Sequence, residues 1–260
     1  MNRALSLIVI GCLMAIGAGC TTTKPLHIFV LAGQSNMSGR GEVAEIDRTP
    51  HPRVFALNAD DEWVIATDPV HFDKPSRTGV GPGLAFAKEI AERNPGIRVG
   101  LVPTAVGGSP IETWTPGGVH KQTGLHPWDD AIHRISVARP AGEIKAVLWH
   151  QGEGDSGPAR APLYEDRLHE LIRRFREVVG DDRLPFIVGQ LGQFKEWSNG
   201  RQLVSAAHEN VPTHLENTRF VSSDDLNHKG DGTHFDAESA RELGRRYAEA
   251  YADIQQTTTQ

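Results

Sequence analysis

The chain alternates short apolar runs with longer segments of helical periodicity. The apolar runs are too short for helices and are bounded by turn residues, which is typical of buried strands. We predict these strands at residues 27–31, 54–57, 99–102, 146–149, 186–189 and 219–221. Apolar residues share one face of the intervening segments, which predicts helices at residues 83–93, 127–138, 162–179, 201–210 and 237–252. This order indicates an α/β fold, with a mostly parallel sheet covered by helices on both faces.

The first predicted strand leads directly into residues 33–37, Gly-Gln-Ser-Asn-Met. Right-handed crossovers bring the carboxyl ends of parallel strands to one edge of the sheet, where open α/β sheets bind their ligands. Ser35 therefore lies where a nucleophile is expected. The same residues also suit an ordinary turn, because Ser and Asn favour caps and turns. This segment alone favours neither interpretation.

Three further segments carry groups suited to acyl transfer. A Gly107-Gly108 turn follows the third strand, and a backbone N–H at such a turn can point at an anion. Gln151 follows the fourth strand and can donate its amide N–H to an oxyanion. In residues 231–235, Asp231 can accept a hydrogen bond from one ring nitrogen of His234 and leave the other as a general base. Together with Ser35, these groups indicate a serine hydrolase.

Four blocks together resemble the SGNH (GDSL-like) hydrolase superfamily: residues 33–37, the Gly107-Gly108 pair, residues 149–153 (WHQGE) and residues 231–235 (DGTHF). They are most similar to its carbohydrate esterase branch, the sialate O-acetylesterase and acetylxylan esterase-like proteins. The resemblance covers most of the mature domain. It implies a flavodoxin-like, three-layer α/β/α sandwich and metal-free hydrolysis of acetylated sugars without a cofactor. The chain departs from the superfamily at Gln151, where asparagine is usual.

By this resemblance, Ser35 is the nucleophile and His234 the general base. The backbone N–H groups of Ser35 and of Gly108 (or Gly107), with the Gln151 side chain, are expected to form the oxyanion hole. We also expect contacts with the substrate from Gln34, Asn36, Trp114 and His150.

Two carboxylates compete for the third position of the triad. Asp231 is favoured, because its closeness to His234 in sequence fixes their geometry with little loop entropy. Glu153, in the WHQGE block, is the alternative and can also orient an imidazole.

The N-terminal residues resemble a bacterial lipoprotein signal peptide at 1–19. A short positive region precedes an apolar core, and small residues precede Cys20. Cleavage there would leave Cys20 to be acylated, with residues 20–25 as a lipidated tether, and would place the protein at the cell envelope. An ordinary secretory signal is the alternative. Both cysteines, Cys12 and Cys20, lie in this leader, which excludes disulfides and Cys-ligated zinc from the rest of the chain.

The remaining chain is predicted to be a single hydrolase domain at 26–254 with a disordered tail at 255–260. Two polar segments, 40–52 and 68–83, are predicted surface loops. The net charge of −6 and the absence of a basic run argue against a nucleic-acid partner. The expected partners are an acetylated carbohydrate and, through the lipid alone, a membrane.

Two other functions are compatible with this fold. A catalytically inactive, carbohydrate-binding lipoprotein would have lost Ser35 or His234, and both are present. A lipase or thioesterase would need a broad apolar groove, whereas the predicted loops are polar. The sequence therefore favours a carbohydrate O-acetylesterase.

Overall fold

The computed structural model describes residues 24–194 and 198–258. The predicted signal peptide, the lipidation site at Cys20 and most of the tether lie outside this range. Across the described part of the chain, no helix combines the length and the apolar character needed to cross a membrane.

A seven-stranded sheet forms the middle of the fold. Its strands, in chain order, are β1 Leu26–Gly33, β2 Val54–Leu57, β3 Trp63–Ile65, β4 Arg98–Pro103, β5 Gly142–His150, β6 Phe186–Gly189 and β7 Thr218–Val221. In space they follow the order β3-β2-β4-β1-β5-β6-β7, and every neighbouring pair is parallel except β2 with β3. The six predicted strands are thus present, and β3 is an additional antiparallel edge strand.

Helices cover both faces of this sheet. They are α1 Ser35–Ser38, α2 Glu45–Arg48, α3 Pro82–Arg93, α4 Pro127–Ala138, α5 Tyr164–Val179, α6 Asn199–His214 and α7 Ala237–Thr258. One apolar core joins the sheet to α4, α5 and α6, and a second joins its other face to α3 and α7. The predicted three-layer α/β/α sandwich is confirmed.

The register of the central strands brings the polar segments together. β1 lies between β4 and β5, with Leu31 opposite Pro103 and Gly33 opposite His150. The three strands therefore end at nearly the same level, and the chain that follows each one emerges at a common edge. An almost continuous apolar run such as β1 suits this position, because both of its faces are covered.

Two predictions about loops and ends differ from the structure. Helix α7 continues through residues 255–258, where a disordered tail was predicted, and Ile254 in its last turns is buried. The polar loops 40–52 and 68–83 are not simple surface segments, since Arg40, Asp68 and His71 within them are buried. The hydrogen bonds made by Arg40 and its neighbours are part of the candidate site.

Candidate active site

A sharp turn at the end of β1 presents Ser35. Gly33 has φ +133°, and a Cβ there would lie 2.2 Å from the carbonyl oxygen of His150, so only glycine fits. The N–H of Gln34 donates to that same carbonyl at 2.9 Å. Ser35 then begins the short helix α1 with its hydroxyl at the edge of the sheet. The turn is thus fixed to β5 on one side and to α1 on the other.

Ser35, His234 and Asp231 form a continuous hydrogen-bonded series. His234 Nε2 lies 3.0 Å from Ser35 Oγ, and His234 Nδ1 lies 2.7 Å from Asp231 Oδ2. Burial would raise the pKa of Asp231, but hydrogen bonds from the backbone and ring of His234 and from the N–H of Thr233 lower it to about 2. The ionised carboxylate accepts from Nδ1–H, which leaves Nε2 as the acceptor for the serine proton.

The backbone N–H groups of Ser35 and Gly108 are available to a ligand, whereas that of Gly107 is not. The N–H of Gly107 donates to Asp73 Oδ2 at 2.7 Å, so it is already used. For the N–H groups of Gly108 and Ser35, no acceptor is found among the residues that the structure describes. Gly108 is exposed and has φ +86°. Of the two glycines considered as oxyanion donors, the geometry favours Gly108.

The Gln151 side chain does not reach this position, contrary to the prediction. Gln151 is fully buried, and its Nε2 donates to the Ser109 carbonyl at 3.0 Å and to Asp155 Oδ2 at 2.5 Å. Its Oε1 lies 2.9 Å from the Tyr164 hydroxyl. A buried amide must satisfy all of these groups internally, so none remains for an oxyanion. Gln151 stabilises the layer beneath the site.

The Gln34 amide, unlike that of Gln151, keeps an N–H₂ without an acceptor among the described residues. Its Oε1 accepts from the N–H groups of Gly152 at 3.5 Å and Gly154 at 3.3 Å. Its Nε2 has no acceptor within the described part of the chain. The carbonyl of this side chain, on the residue before Ser35, is therefore anchored, while its amide N–H₂ has no protein acceptor in the described part of the chain.

Asn36 and Glu153 hold the histidine segment rather than facing a substrate. Asn36 Nδ2 donates to Glu153 Oε1 at 2.6 Å and to the Thr233 carbonyl at 3.1 Å, while its Oδ1 accepts from the N–H of Phe235 at 3.2 Å. The two backbone contacts flank His234. Asn36 is buried, which corrects its prediction as a substrate-binding residue. Glu153 makes no hydrogen bond to His234 among the described residues, and Asp231 occupies that position.

Trp114 and His150 are also too deeply buried to contact a substrate, and both predictions are corrected. The Trp114 indole donates to Ser109 Oγ at 3.0 Å and packs edge-on against Trp149. The His150 ring lies 3.3 Å from the Tyr247 hydroxyl, and burial lowers its pKa to about 4, so it is neutral at pH 7. Both are completely enclosed by the core. His150 is the last residue of β5 and packs inward because helices cover both faces of the sheet, while Trp114 follows a short helical turn at 111–113 and packs into the core.

The sequence did not reveal an ion pair that connects the two loops of the site. Arg40 Nη2 lies 3.3 Å from Asp73 Oδ2, the oxygen that also accepts from Gly107. Arg40 Nη1 donates to Ser38 Oγ at 2.5 Å and to the Gly39 carbonyl at 2.6 Å. The pair thus ties the serine helix to the glycine turn. The one signal in the sequence is loop length, since long loops in a compact domain are often functional.

Within residues 24–194 and 198–258, no cluster of three or more His, Cys, Asp or Glu side chains is arranged to hold a metal ion.

Comparisons with known proteins agree on a family. A sequence profile described as "SASA: Carbohydrate esterase, sialic acid-specific acetylesterase" matches residues 25–253. A probable carbohydrate esterase of Arabidopsis thaliana is 32% identical over 247 residues, which cover 87% of this chain and 90% of that protein. An X-ray structure of that Arabidopsis protein has a TM-score of 0.78 at 31% identity, covering 88% of this chain and 99% of that one.

Two more distant structures share the fold. A carbohydrate acetylesterase from Xanthomonas citri has a TM-score of 0.69 at 22% identity and covers 88% of this chain and 56% of that one. NanS has a TM-score of 0.70 at 17% identity and covers 90% of this chain and 99% of that one.

Proposed function

The chain belongs to the SASA family of carbohydrate esterases, and we propose that it is a serine esterase that releases acetate from O-acetylated carbohydrates. The observation that carries the proposal is the hydrogen-bonded series from Asp231 through His234 to Ser35, with distances of 2.7 and 3.0 Å. Acetylated xylan and O-acetylated sialic acid are the candidate substrates. The Arabidopsis relative, described as a probable carbohydrate esterase, supports the same reaction class.

The proposed reaction is an acyl transfer in two halves. His234 Nε2 takes the proton of Ser35 Oγ as that oxygen attacks the acetyl carbonyl. The tetrahedral intermediate collapses, the ester bond breaks, and His234 returns the proton to the sugar alcohol. Water then attacks the acetyl-enzyme with the same base and releases acetate. Asp231 holds the His234 ring and stabilises the imidazolium that forms in each half.

The oxyanion is proposed to bind the N–H groups of Ser35 and Gly108, with Gln34 Nε2 as a third donor. The first two have no protein acceptor in the described part of the chain, and the Gln34 carbonyl is fixed by Gly152 and Gly154. Donors that are held in place before the reaction stabilise developing charge without reorganisation. Removing the Gln34 donor, with Gln34→Ala, is expected to lower kcat by about 10²–10³.

The test of the proposed function is acetate release by the wild-type protein and the Ser35→Ala variant. Acetylated xylan, O-acetylated sialic acid and a long-chain aryl ester are compared as substrates. We expect activity on at least one acetylated glycan and a loss of about 10⁴-fold or more in Ser35→Ala. Ser136→Ala, an exposed serine of α4, is the matched control. Near wild-type acetate release by Ser35→Ala, or hydrolysis of the long-chain ester alone, would contradict the proposal.

We also propose that Cys20 is acylated and anchors the enzyme at the cell envelope. The support is the sequence of the leader, with small residues directly before the cysteine. Growth with radiolabelled palmitate should label the full-length chain and the Cys12→Ala variant, but not Cys20→Ala. Equal absence of label from the wild type and both variants would favour an ordinary secretory signal.

A further inference from the structure

A cavity of about 300 Å³ opens at the carboxyl edge of the sheet, one strand away from Ser35. Its wall includes residues 104–106, which lead from β4 into the Gly107-Gly108 turn. Ala59, an exposed residue just beyond β2, also lines it. Since β1 and β2 flank β4, the cavity lies within two strand spacings of Ser35, roughly 10 Å. Two linked sugar rings can span this distance.

The cavity and the candidate active site share their walls. Asp73 lines the cavity and accepts the N–H of Gly107. Leu125 lines it as well, and its backbone pairs with that of His120. On the other side of this loop, a Cβ placed on Gly108 would lie 3.5 Å from Gln122 Oε1 and 3.8 Å from His120 Nε2. A ligand that extends from Ser35 past Gly108 would therefore meet polar side chains before it reaches the cavity.

The lining of the cavity combines an apolar surface with hydrogen-bonding groups. Phe72 is half-buried, and Arg134 lies over its ring at 4.8 Å from the centroid. Apolar lining with a few oriented polar groups is the usual character of a small-molecule site. A sugar ring matches it, because its C–H face packs on aromatic and apolar surface while its hydroxyls donate to carboxylates such as Asp130.

The charges of the lining favour a neutral ring over an anionic one. Asp61 lies 2.8 Å from Arg134, so the two charges neutralise one another. Asp73 is paired with Arg40 at 3.3 Å, which leaves Asp130 as the further carboxylate of the wall. An acidic sugar or a phosphate would find no unpaired Arg or Lys among the described residues of this lining and would face Asp130, and an aliphatic chain would desolvate charged groups without compensation.

We propose that this cavity is a second subsite, which binds a neutral sugar ring linked to the acetylated one. The preferred substrate is then an oligosaccharide rather than a free monosaccharide. This inference rests on the proposed function, because it places the acetylated ring at Ser35.

The experiment compares kcat/KM for two pairs of probes that differ only in length. One pair is acetylated xylose and acetylated xylotetraose, and the other is O-acetylated N-acetylneuraminic acid, free and within sialyllactose. We expect the longer member of the accepted pair to be preferred by roughly tenfold. Phe72→Ala should reduce this preference by roughly 3–10-fold, and Ala59→Trp, which fills the mouth of the cavity, should do the same. Hydrolysis of 4-nitrophenyl acetate should stay unchanged in both variants.

Phe55→Ala is the matched control, since Phe55 is a half-buried ring covered by Arg98 at 4.5 Å and does not line the cavity. Equal kcat/KM for both lengths in the wild type would overturn the subsite while leaving the proposed function intact. So would a preference for length that both Phe72→Ala and Ala59→Trp retain. If no glycan releases acetate while Ser35-dependent hydrolysis of 4-nitrophenyl acetate persists, the carbohydrate substrate itself is wrong, and the subsite fails with it.

Discussion

Replacing Glu153 should impair the enzyme far less than replacing Asp231. The Glu153 carboxylate acts on the histidine segment through Asn36. Its Oε1 accepts a hydrogen bond from Asn36 Nδ2 at 2.6 Å. Asn36 in turn holds the backbone on both sides of His234. Asp231 accepts directly from the His234 ring at 2.7 Å. Glu153 is therefore a positioning residue, and Asp231 is the acid of the proposed triad.

The two contacts predict effects of different size. Glu153→Gln keeps the shape of the side chain and converts a charge-assisted hydrogen bond into a neutral one, a loss of about 1 kcal/mol. If this whole free-energy loss raises the activation barrier, kcat falls about fivefold to tenfold. Asp231→Asn removes the carboxylate that selects the ring tautomer of His234, and the expected loss is about 10⁴-fold. The predicted gap between the two variants is thus about a thousandfold.

The assay is kcat for acetate release at saturating substrate, measured in a double-mutant cycle with Asn36→Ala. If Glu153 acts only through Asn36, Glu153→Gln should have little further effect once Asn36 is absent. Glu209→Gln, an exposed glutamate of α6, is the matched control and should leave kcat unchanged. Circular dichroism of each variant checks that the fold is intact.

Two results would refute this assignment. A loss of about 10³-fold or more in Glu153→Gln, with Asp231→Asn retaining a tenth of wild-type kcat, would make Glu153 the triad acid. Additive effects of Asn36→Ala and Glu153→Gln would show that Glu153 reaches His234 by another route.

Three further predictions concern stability and the glycine turn. Burial raises the pKa of Asp68 to about 8, so the stability that its neutral form contributes is lost as pH rises from about 4 to 8. In urea unfolding, Asp68→Asn should raise the free energy of unfolding by roughly 3–5 kcal/mol at pH 8 and change it little at pH 4. An equal gain at both pH values would contradict this. Burial lowers the pKa of His150 to about 4 and of His208 to about 3. The stability that these neutral rings contribute is therefore complete above about pH 6.5 and is lost as pH falls from there through these values. His208→Gln should make the urea midpoint fall less steeply at acid pH, and an unchanged fall would count against this. Asp73→Asn should lower kcat for 4-nitrophenyl acetate about tenfold by loosening the Gly107 turn, whereas an unchanged kcat would show that the turn holds without the charge.

The sequence predicted the layers of the fold because burial on both faces leaves a simple signature. β1 is almost entirely apolar, as a central parallel strand must be. β3 was missed because it is three residues long, lies at the edge of the sheet and exposes Val64 and Ile65. The predicted end of α6, at residue 210, is too early, because the helix continues through Pro212 in its last turn and ends at His214.

The candidate site was predictable only where neighbours in sequence fix the geometry. Asp231 and His234 lie in one turn, so their hydrogen bond follows from spacing. Gln151 and His150 also lie at the correct edge of the sheet, yet the sequence does not say on which side of the backbone each side chain packs. Gly152, with φ +145°, turns the chain sharply after them. Tertiary packing then buries both side chains, which local patterns do not reveal.

The placement of Asn36 gives the residue after the serine a mechanical role. The proposed nucleophile and base lie 199 residues apart in the chain, and their 3.0 Å contact is a weak constraint by itself. The Asn36 amide binds the backbone before and after His234, and α1 ties Asn36 to Ser35. Any displacement of the histidine segment must therefore break the hydrogen bonds of the buried Asn36 amide in addition to the part-buried Ser-His contact. Alignment of Ser35 with His234 thus depends on Asn36 as well as on the contact between the two residues themselves.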